Sequence, residues 1–173
     1  MNDSDLTIRK AEIGDSAAIS LLSEQLGYPC KKSEIEKRLL VMDEKGHAVF
    51  VANLDSFGVV GWIHLMPRRL LYLPVNAEIG GLVVHREQRL KGIGRALISF
   101  AECWAREKGY ANIVVRSDKA REESHVFYRA IGYSIIKAQN VYLKEMTGQQ
   151  INPAENQGGR QRQADISHRP GFY

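Results

Sequence analysis

The chain has 173 residues, 44% of them hydrophobic and 25% charged, which is the make-up of one globular domain and excludes a fibrous or low-complexity protein. No basic start runs into an apolar segment, and no stretch approaches the roughly 20 apolar residues of a membrane span, so a cytoplasmic protein with no membrane partner is expected. The formal charge of +4 raises nucleic acid as a partner, but Lys and Arg are mixed with Glu and Asp in EKRLLVMDEK and DKAREES. That pattern is a solvated surface rather than a phosphate track, so no nucleic-acid partner is expected, and a small polyanion suits the charge equally well.

Residues 6–10 alternate apolar and polar side chains and predict an opening strand. A helix follows from about Asp15, a good N-cap, with Ala18, Ile19, Leu22 and Leu26 at helical spacing and Gly27 and Pro29 ending it. Ser33 and Glu36 have capping-box spacing and predict a second helix with Ile35, Leu39, Leu40 and Met42 on its apolar face, closed by Gly46. Residues 47–53 and 57–65 read as a hairpin across Asp55-Ser56. Two prolines make residues 66–74 an expected loop or irregular strand extension with an apolar rim. Residues 77–84 form a strand, 92–108 a helix with Ile93, Leu97, Phe100, Ala101 and Trp104 on one side, 113–116 a strand, and 122–130 a helix ended by Gly132; 133–144 are expected to close the fold with two short strands.

This order predicts an α/β fold with a mixed sheet and helices on both faces, because parallel strands need crossover helices. Residues 1–146 are expected to be the domain. Residues 147–173, polar with scattered Gly and Pro, are expected to be a flexible extension. Cys30 and Cys103 show no metal-ligand spacing, so free thiols and no metal site are expected. The run Leu70-Leu71-Tyr72-Leu73 is either core or the interface of a homodimer.

The most informative stretch runs from Leu82, Val83 and Val84 through a basic loop into the helix at Gly92. A helix start presents N–H groups with no intrahelical acceptor and about half a positive charge, and glycines let backbone approach a phosphate. Arg89, Lys91 and Arg95 add full charges around the same point, with Leu90 and Ile93 between them. A diphosphate is the natural guest. The glycines fit neither the dinucleotide fingerprint, since Leu97 stands where a third small residue is needed, nor a P-loop, since no Gly-Lys-Ser/Thr follows.

Arg89, Gly92 and Gly94 match Arg/Gln-x-x-Gly-x-Gly/Ala, and Ser124 to Tyr133, with Phe127, Tyr128 and Gly132, resembles Ala-x-x-Phe-Tyr-x-x-x-Gly-Phe/Tyr. Two motifs in this order, one strand apart, resemble the GNAT superfamily of N-acetyltransferases. The resemblance implies a central, mostly antiparallel sheet whose two parallel strands splay apart, acetyl-CoA as cosubstrate without a metal, and acetyl transfer to an amine, taken to be that of a small molecule. It further implies that backbone at Leu82, Val83 and Val84 pairs with the pantetheine arm, that the Val84 N–H polarises the thioester, and that residues 89–95 hold the diphosphate.

An ammonium of pKa about 10.4 must lose its proton before attack, which costs roughly 4–5 kcal/mol at neutral pH. Glu78, at the start of the strand leading to the loop, is the expected base, ahead of His64 and His85, and Tyr128 is the expected proton donor to the departing thiolate. Where many members of the family hold the pantetheine arm with an asparagine, this chain has Ser117-Asp118-Lys119-Ala120-Arg121, so Ser117 or Arg121 is expected to substitute. Glu34, Glu36, Asp43 and Glu44 favour a cationic acceptor if they face the cleft. A non-catalytic acyl-CoA-binding module and an acetyltransferase of protein N-termini or lysines are the alternatives.

Overall fold

The computed structural model describes residues 6–42 and 45–144; Asp43, Glu44 and the expected extension over 147–173 lie outside the described residues. The elements run β1 (Leu6–Lys10), α1 (Ser16–Leu26), α2 (Lys32–Met42), β2 (Ala48–Leu54), β3 (Gly58–Leu70), β4 (Leu73–Val84), α3 (Ile93–Glu107), β5 (Ile113–Val115) and α4 (Glu122–Ala130). One sheet carries the strands in the order β1-β2-β3-β4-β5, antiparallel throughout except for the parallel pair β4 and β5. A parallel neighbour needs a crossover, and α3 supplies it.

Helices cover both faces, so the interior strand β2 is buried along nearly its whole length. On one face Ile19 of α1 and Ile35 of α2 close on Val51, with Trp62 and Leu39 packed beside them. On the other, Ile93, Leu97, Ile98 and Ala101 of α3 close on Phe50, Ile63 and Leu65. Each fully buried side chain of this kind contributes about 1.5–3 kcal/mol. The Phe50 ring meets Phe100 edge-on at 4.8 Å between centroids, which ties α3 to the middle of the sheet.

Several sequence expectations shift at element ends. Gly27 caps α1 at φ 95, and its N–H reaches the Glu24 and Ser23 carbonyls. Asp15 does precede α1 but does not cap it. Its carboxylate accepts two bonds from Arg9, at 2.7 and 2.8 Å, and one from the Glu12 N–H at 2.8 Å, so it braces the turn before the helix. The hydrogen bonds from Arg9 hold its carboxyl below the usual range against the opposing effect of burial. The capping box expected at Ser33 does not form, because α2 begins at Lys32 and Ser33 is already helical. The Glu36 carboxylate instead lies 3.5 Å from Lys32 and accepts from the Ser16 hydroxyl at 3.3 Å. Leu40, expected on the apolar face, is 62% exposed.

The larger departures concern strands. Residues 66–74, expected as a loop or an irregular strand extension, form a hairpin: β3 continues to Leu70 and β4 already begins at Leu73. The β2 ladder ends at Leu65, so Pro67 stands where β3 has a single neighbour, and Pro74 precedes the first β5 pairing at Ala77. Proline is tolerated at such positions because no second ladder needs its missing N–H. Leu71 and Tyr72 at the hairpin tip are exposed, so this run is not core. The two closing strands are absent among the described residues. Segment 133–144 pairs with no strand, and Ile135, Ile136, Val141 and Tyr142 are exposed. The adjacent Ile135 and Ile136 break the alternation a half-buried strand requires.

Candidate functional site

The site grows from the place where β4 and β5 part. Their pairing stops at Ile79 with Val115, while β4 runs on to Val84 against β3, so among the described residues the backbone from Gly80 to Val84 has no strand beside it on the β5 side. A register shift opposite His64 and Leu65 makes Gly80 the extra residue of a bulge, which re-aims the strand there. The His85 N–H donates to Val60 O at 2.7 Å across β3. By strand alternation, the polar groups of Leu82 and Val84 therefore point away from β3, into the side that β5 has vacated. Arg89 Nε reaches Val84 O from that side at 3.2 Å.

Beyond Val84 the chain makes a single 3-10 turn, Arg86–Gln88, and enters α3 through two left-handed residues, Leu90 at φ 62 and Gly92 at φ 83. Leu90 is a bulky residue in a sparsely populated region and fully exposed, at a cost of the order of 1 kcal/mol. Among the described residues no side chain caps α3. Lys91 is steadied by the buried Gln88, Nζ to Oε1 at 2.8 Å. Gly94 faces α4, and a Cβ there would stand in ordinary contact with the Phe127 ring at 3.4 Å. Residues 89–95 thus form the uncapped helix start with flanking cations that the sequence leads one to expect.

A cavity of about 380 Å³ lies on the open side of β4 and reaches from Leu82 and Val115 across to α1 and α2. Tyr28, Leu26, Leu39 and Met42 give it an apolar wall, and Tyr128, Ser117, His64 and Trp62 line it as well. Two glycines make it. A Cβ on Gly81 would stand 2.7 Å from the Trp62 ring, and one on Gly80 would stand 2.8 Å from His64 Nδ1, so both rings lie close against backbone. The Trp62 Nε1 and Ser117 Oγ are buried without a hydrogen-bond partner. Arg121 closes the cavity over α1: Nη2 donates to Leu26 O at 2.8 Å, and the guanidinium sits 6.0 Å over the Tyr28 ring.

The two expected catalytic groups are placed differently. Tyr128 lines the cavity, and burial pushes its phenol up to about 12, partly opposed by Arg121, so it is a neutral donor at neutral pH. Glu78 is 5% exposed and does not line the cavity. Its carboxylate lies between Arg116, at 3.1 Å, and Arg68, at 3.4 Å. His64 lines the cavity and faces His47 with ring nitrogens 2.9 Å apart. Burial, and then the neighbouring His47, lower its imidazole to about 4, so it is neutral at neutral pH. His125 reaches Asp118 O at 3.0 Å and fixes the turn before α4. Glu34 and Glu36 do not face the cavity; Glu34 accepts from Cys30 Sγ at 3.1 Å.

Sequence reasoning passed over Trp62 and the glycine pair, although two consecutive glycines inside a strand signal a bulge or a close approach. No cluster of His, Cys, Asp or Glu suited to a metal occurs among the described residues, and none of their helices is long and apolar enough to cross a membrane.

The family model for the acetyltransferase (GNAT) domain matches residues 45–135, over half of the chain. An uncharacterised N-acetyltransferase of Chlorobaculum tepidum is 29% identical over 139 residues, which span 80% of this chain and 82% of that protein. Glucosamine-6-phosphate N-acetyltransferase from Arabidopsis thaliana has a similar structure, with a TM-score of 0.70 at 20% identity over 81% of this chain and 99% of its own. So has AAC(6')-Iy in complex with the bisubstrate analogue CoA-S-monomethyl-acetylneamine, with a TM-score of 0.71 at 16% identity over 82% and 99%. Both likenesses establish the fold.

Proposed function

The chain belongs to the GNAT acetyltransferase family and is an acetyl-CoA-dependent N-acyltransferase; from that premise we propose that it moves acetyl onto a primary amine of a small molecule, by direct attack in a ternary complex. One observation carries the reading. The vacated backbone of β4 from Gly80 to Val84 leads straight into an uncapped helix start, so one extended ligand with a diphosphate at one end fits both. The structurally similar AAC(6')-Iy is in complex with a bisubstrate analogue built on CoA, which supports a CoA-bearing cosubstrate here.

In this reading Arg89, Lys91 and Arg95, with the amides of Gly92, Ile93 and Gly94, hold the diphosphate, and Leu90 shapes the turn that presents them. Leu82 and Val84 pair with the pantetheine arm, Val83 anchors the strand in the core, and Ser117, whose hydroxyl has no protein partner, takes the contact an asparagine makes in many relatives. The acceptor nitrogen attacks the thioester carbonyl, the carbonyl oxygen gains negative charge opposite the Val84 N–H, and the C–S bond then breaks.

Tyr128 donates a hydrogen bond to the leaving sulfur. A phenol near 12 is a weaker acid than an ordinary thiol near 8.5, so the bond steadies the thiolate without surrendering its proton outright. Glu78 receives the ammonium proton through solvent, because arginines flank its carboxylate and it has no wall in the cavity. The domain is proposed to comprise residues 1–146, with 147–173 an extension.

Calorimetry with CoA and release of free thiol from acetyl-CoA in the presence of primary amines test the reading. Binding of CoA together with amine-dependent thiol release is expected. Binding without release from any amine would instead leave a non-catalytic acyl-CoA module, and no binding at all would end the proposal.

A further inference from the structure

The cavity beside β4 changes character with depth. The lining residues that are themselves buried are Ile19, Ser23, Ile35, Val49 and Ile79. Ser23 is the polar one among them, and its hydroxyl already donates to Ile19 O at 2.7 Å within α1. Leu26, Leu39, Met42 and Trp62 are half-buried around this floor. Ile19, Ile35, Leu39 and Trp62 also belong to the apolar core on that face of the sheet, so the floor is the open side of a core.

The charged groups of the lining stand elsewhere. Arg38, Arg116 and Asp118 are exposed, which places them at the mouth. Each is engaged within the protein: Arg38 with Cys30 Sγ at 3.3 Å, Arg116 with Glu78 at 3.1 Å, and Asp118 with the Ala120 N–H at 2.9 Å. Arg121 is half-buried but drawn to the Leu26 carbonyl and the Tyr28 ring. Two uncharged polar residues, His64 and Ser117, belong to the end where β4 and β5 part: His64 stands opposite Gly81, and Ser117 just past the end of β5. The cavity thus has a polar end, which takes the thioester in the preceding reading, and an apolar end under α1 and α2.

We infer that the acceptor is a primary amine on a compact apolar body, an aryl or branched-alkyl group with neither hydroxyls nor a second charge, which the floor between α1, α2 and the sheet receives. This rests on the preceding reading that the cavity takes the amine.

Burial and desolvation select such a body together. Apolar surface moved from water onto Ile19, Ile35, Leu39 and Met42 is stabilised in proportion to its area. A hydroxyl or a second ammonium carried to the same floor leaves its water behind. Among the buried lining residues it meets one hydroxyl whose proton is already used, and otherwise only hydrocarbon. A polar group buried without a partner is costly, and a charged one more so. The volume of about 380 Å³ is shared with the thioester end, and it lies low in the roughly 300–1,000 Å³ range of small-ligand sites, so the body is compact.

Amines of like size test this on the full chain: cyclohexylmethylamine against glucosamine, 3-methylbutylamine against 4-amino-1-butanol, and spermidine as the polycation. Calorimetric affinity for the chain loaded with CoA and thiol release from acetyl-CoA are both read. The apolar member of each pair is expected to bind at least tenfold more tightly and to lead in kcat/KM by a similar factor, with spermidine below both apolar amines. Met42→Gln, close in size, and Leu39→Asn are expected to cut the within-pair ratio at least threefold. Heat of CoA binding, whose proposed site does not include α2, shows that each variant is folded. Equal affinities within pairs, a lead by glucosamine or spermidine, no binding by either apolar amine, or ratios unmoved in both folded variants overturns the inference. Apolar amines that bind as expected but release no thiol uphold it and strike the transfer step, whereas absence of heat with CoA strikes the preceding reading.

Discussion

The imidazole of His64 makes the stability of this protein depend on pH in a way that can be computed in advance. Its folded value lies near 4, against an ordinary 6.5, because the ring is buried and faces His47. The unfolded chain therefore binds a proton that the folded chain refuses anywhere between those values, so stability is complete above about 6.5 and falls as the pH descends toward 4. Each unit is worth 1.36 kcal/mol, which gives a loss of about 2 kcal/mol between pH 7 and pH 5 and about 3 kcal/mol in all. Urea unfolding followed by tryptophan fluorescence at pH 7, 6 and 5 measures it. Other groups titrate over the same range, so the decisive quantity is the difference in slope between the parent and His64→Gln. The variant starts lower, having lost the contact with His47, but its stability is flatter by about 2 kcal/mol over that interval. Identical slopes would refute the placement of His64 as a buried neutral ring.

Gly81→Ala drives a methyl group to 2.7 Å from the Trp62 ring, and overpacking of this kind costs about 1–3 kcal/mol, so a lower melting temperature together with weakened acetyl transfer is expected. Gly92→Ala meets no neighbour within 4 Å but sits at φ 83, so its cost is backbone strain of about 1–2 kcal/mol, and calorimetry should show weaker CoA binding as the helix start is re-aimed. Tyr128→Phe keeps the ring and removes the donor; kcat should fall about a hundredfold with CoA affinity nearly unchanged, read by thiol release and calorimetry. Glu78→Gln leaves Arg68 and Arg116 sharing one site without a counter-ion, and a loss of about 3 kcal/mol in urea unfolding is expected.

The helices were readable because their signals are local. Ile93, Leu97 and Ala101 repeat at helical spacing and are buried together, and Gly27 and Gly132 stop their helices with positive φ. Strand limits were less readable, because a ladder depends on which neighbours happen to be alongside. Pro67 and Pro74 argue for a loop if the partner is unknown, and they are harmless once β2 is seen to end at Leu65. Ile135, Ile136 and Val141 fail in the opposite sense: they carry strand-forming side chains, yet no described strand lies against them.

The same division runs through the site. The helix start at Gly92 is a local device, and its glycines, cations and preceding strand stand next to one another in the chain. The acceptor cavity is not local, since it unites Tyr28 from the turn after α1 and Arg38 from α2 with Trp62 and His64 from β3, Gly80 from β4 and Tyr128 from α4. What joins these residues is the pair of absent side chains at Gly80 and Gly81, which lets two rings of β3 lie against the backbone of β4 where the sheet begins to part. The cosubstrate end of such a protein can therefore be argued from a dozen consecutive residues. Its acceptor end follows only from which side chains four separate elements bring to one wall, and in this chain most of those with a formal charge are arginines.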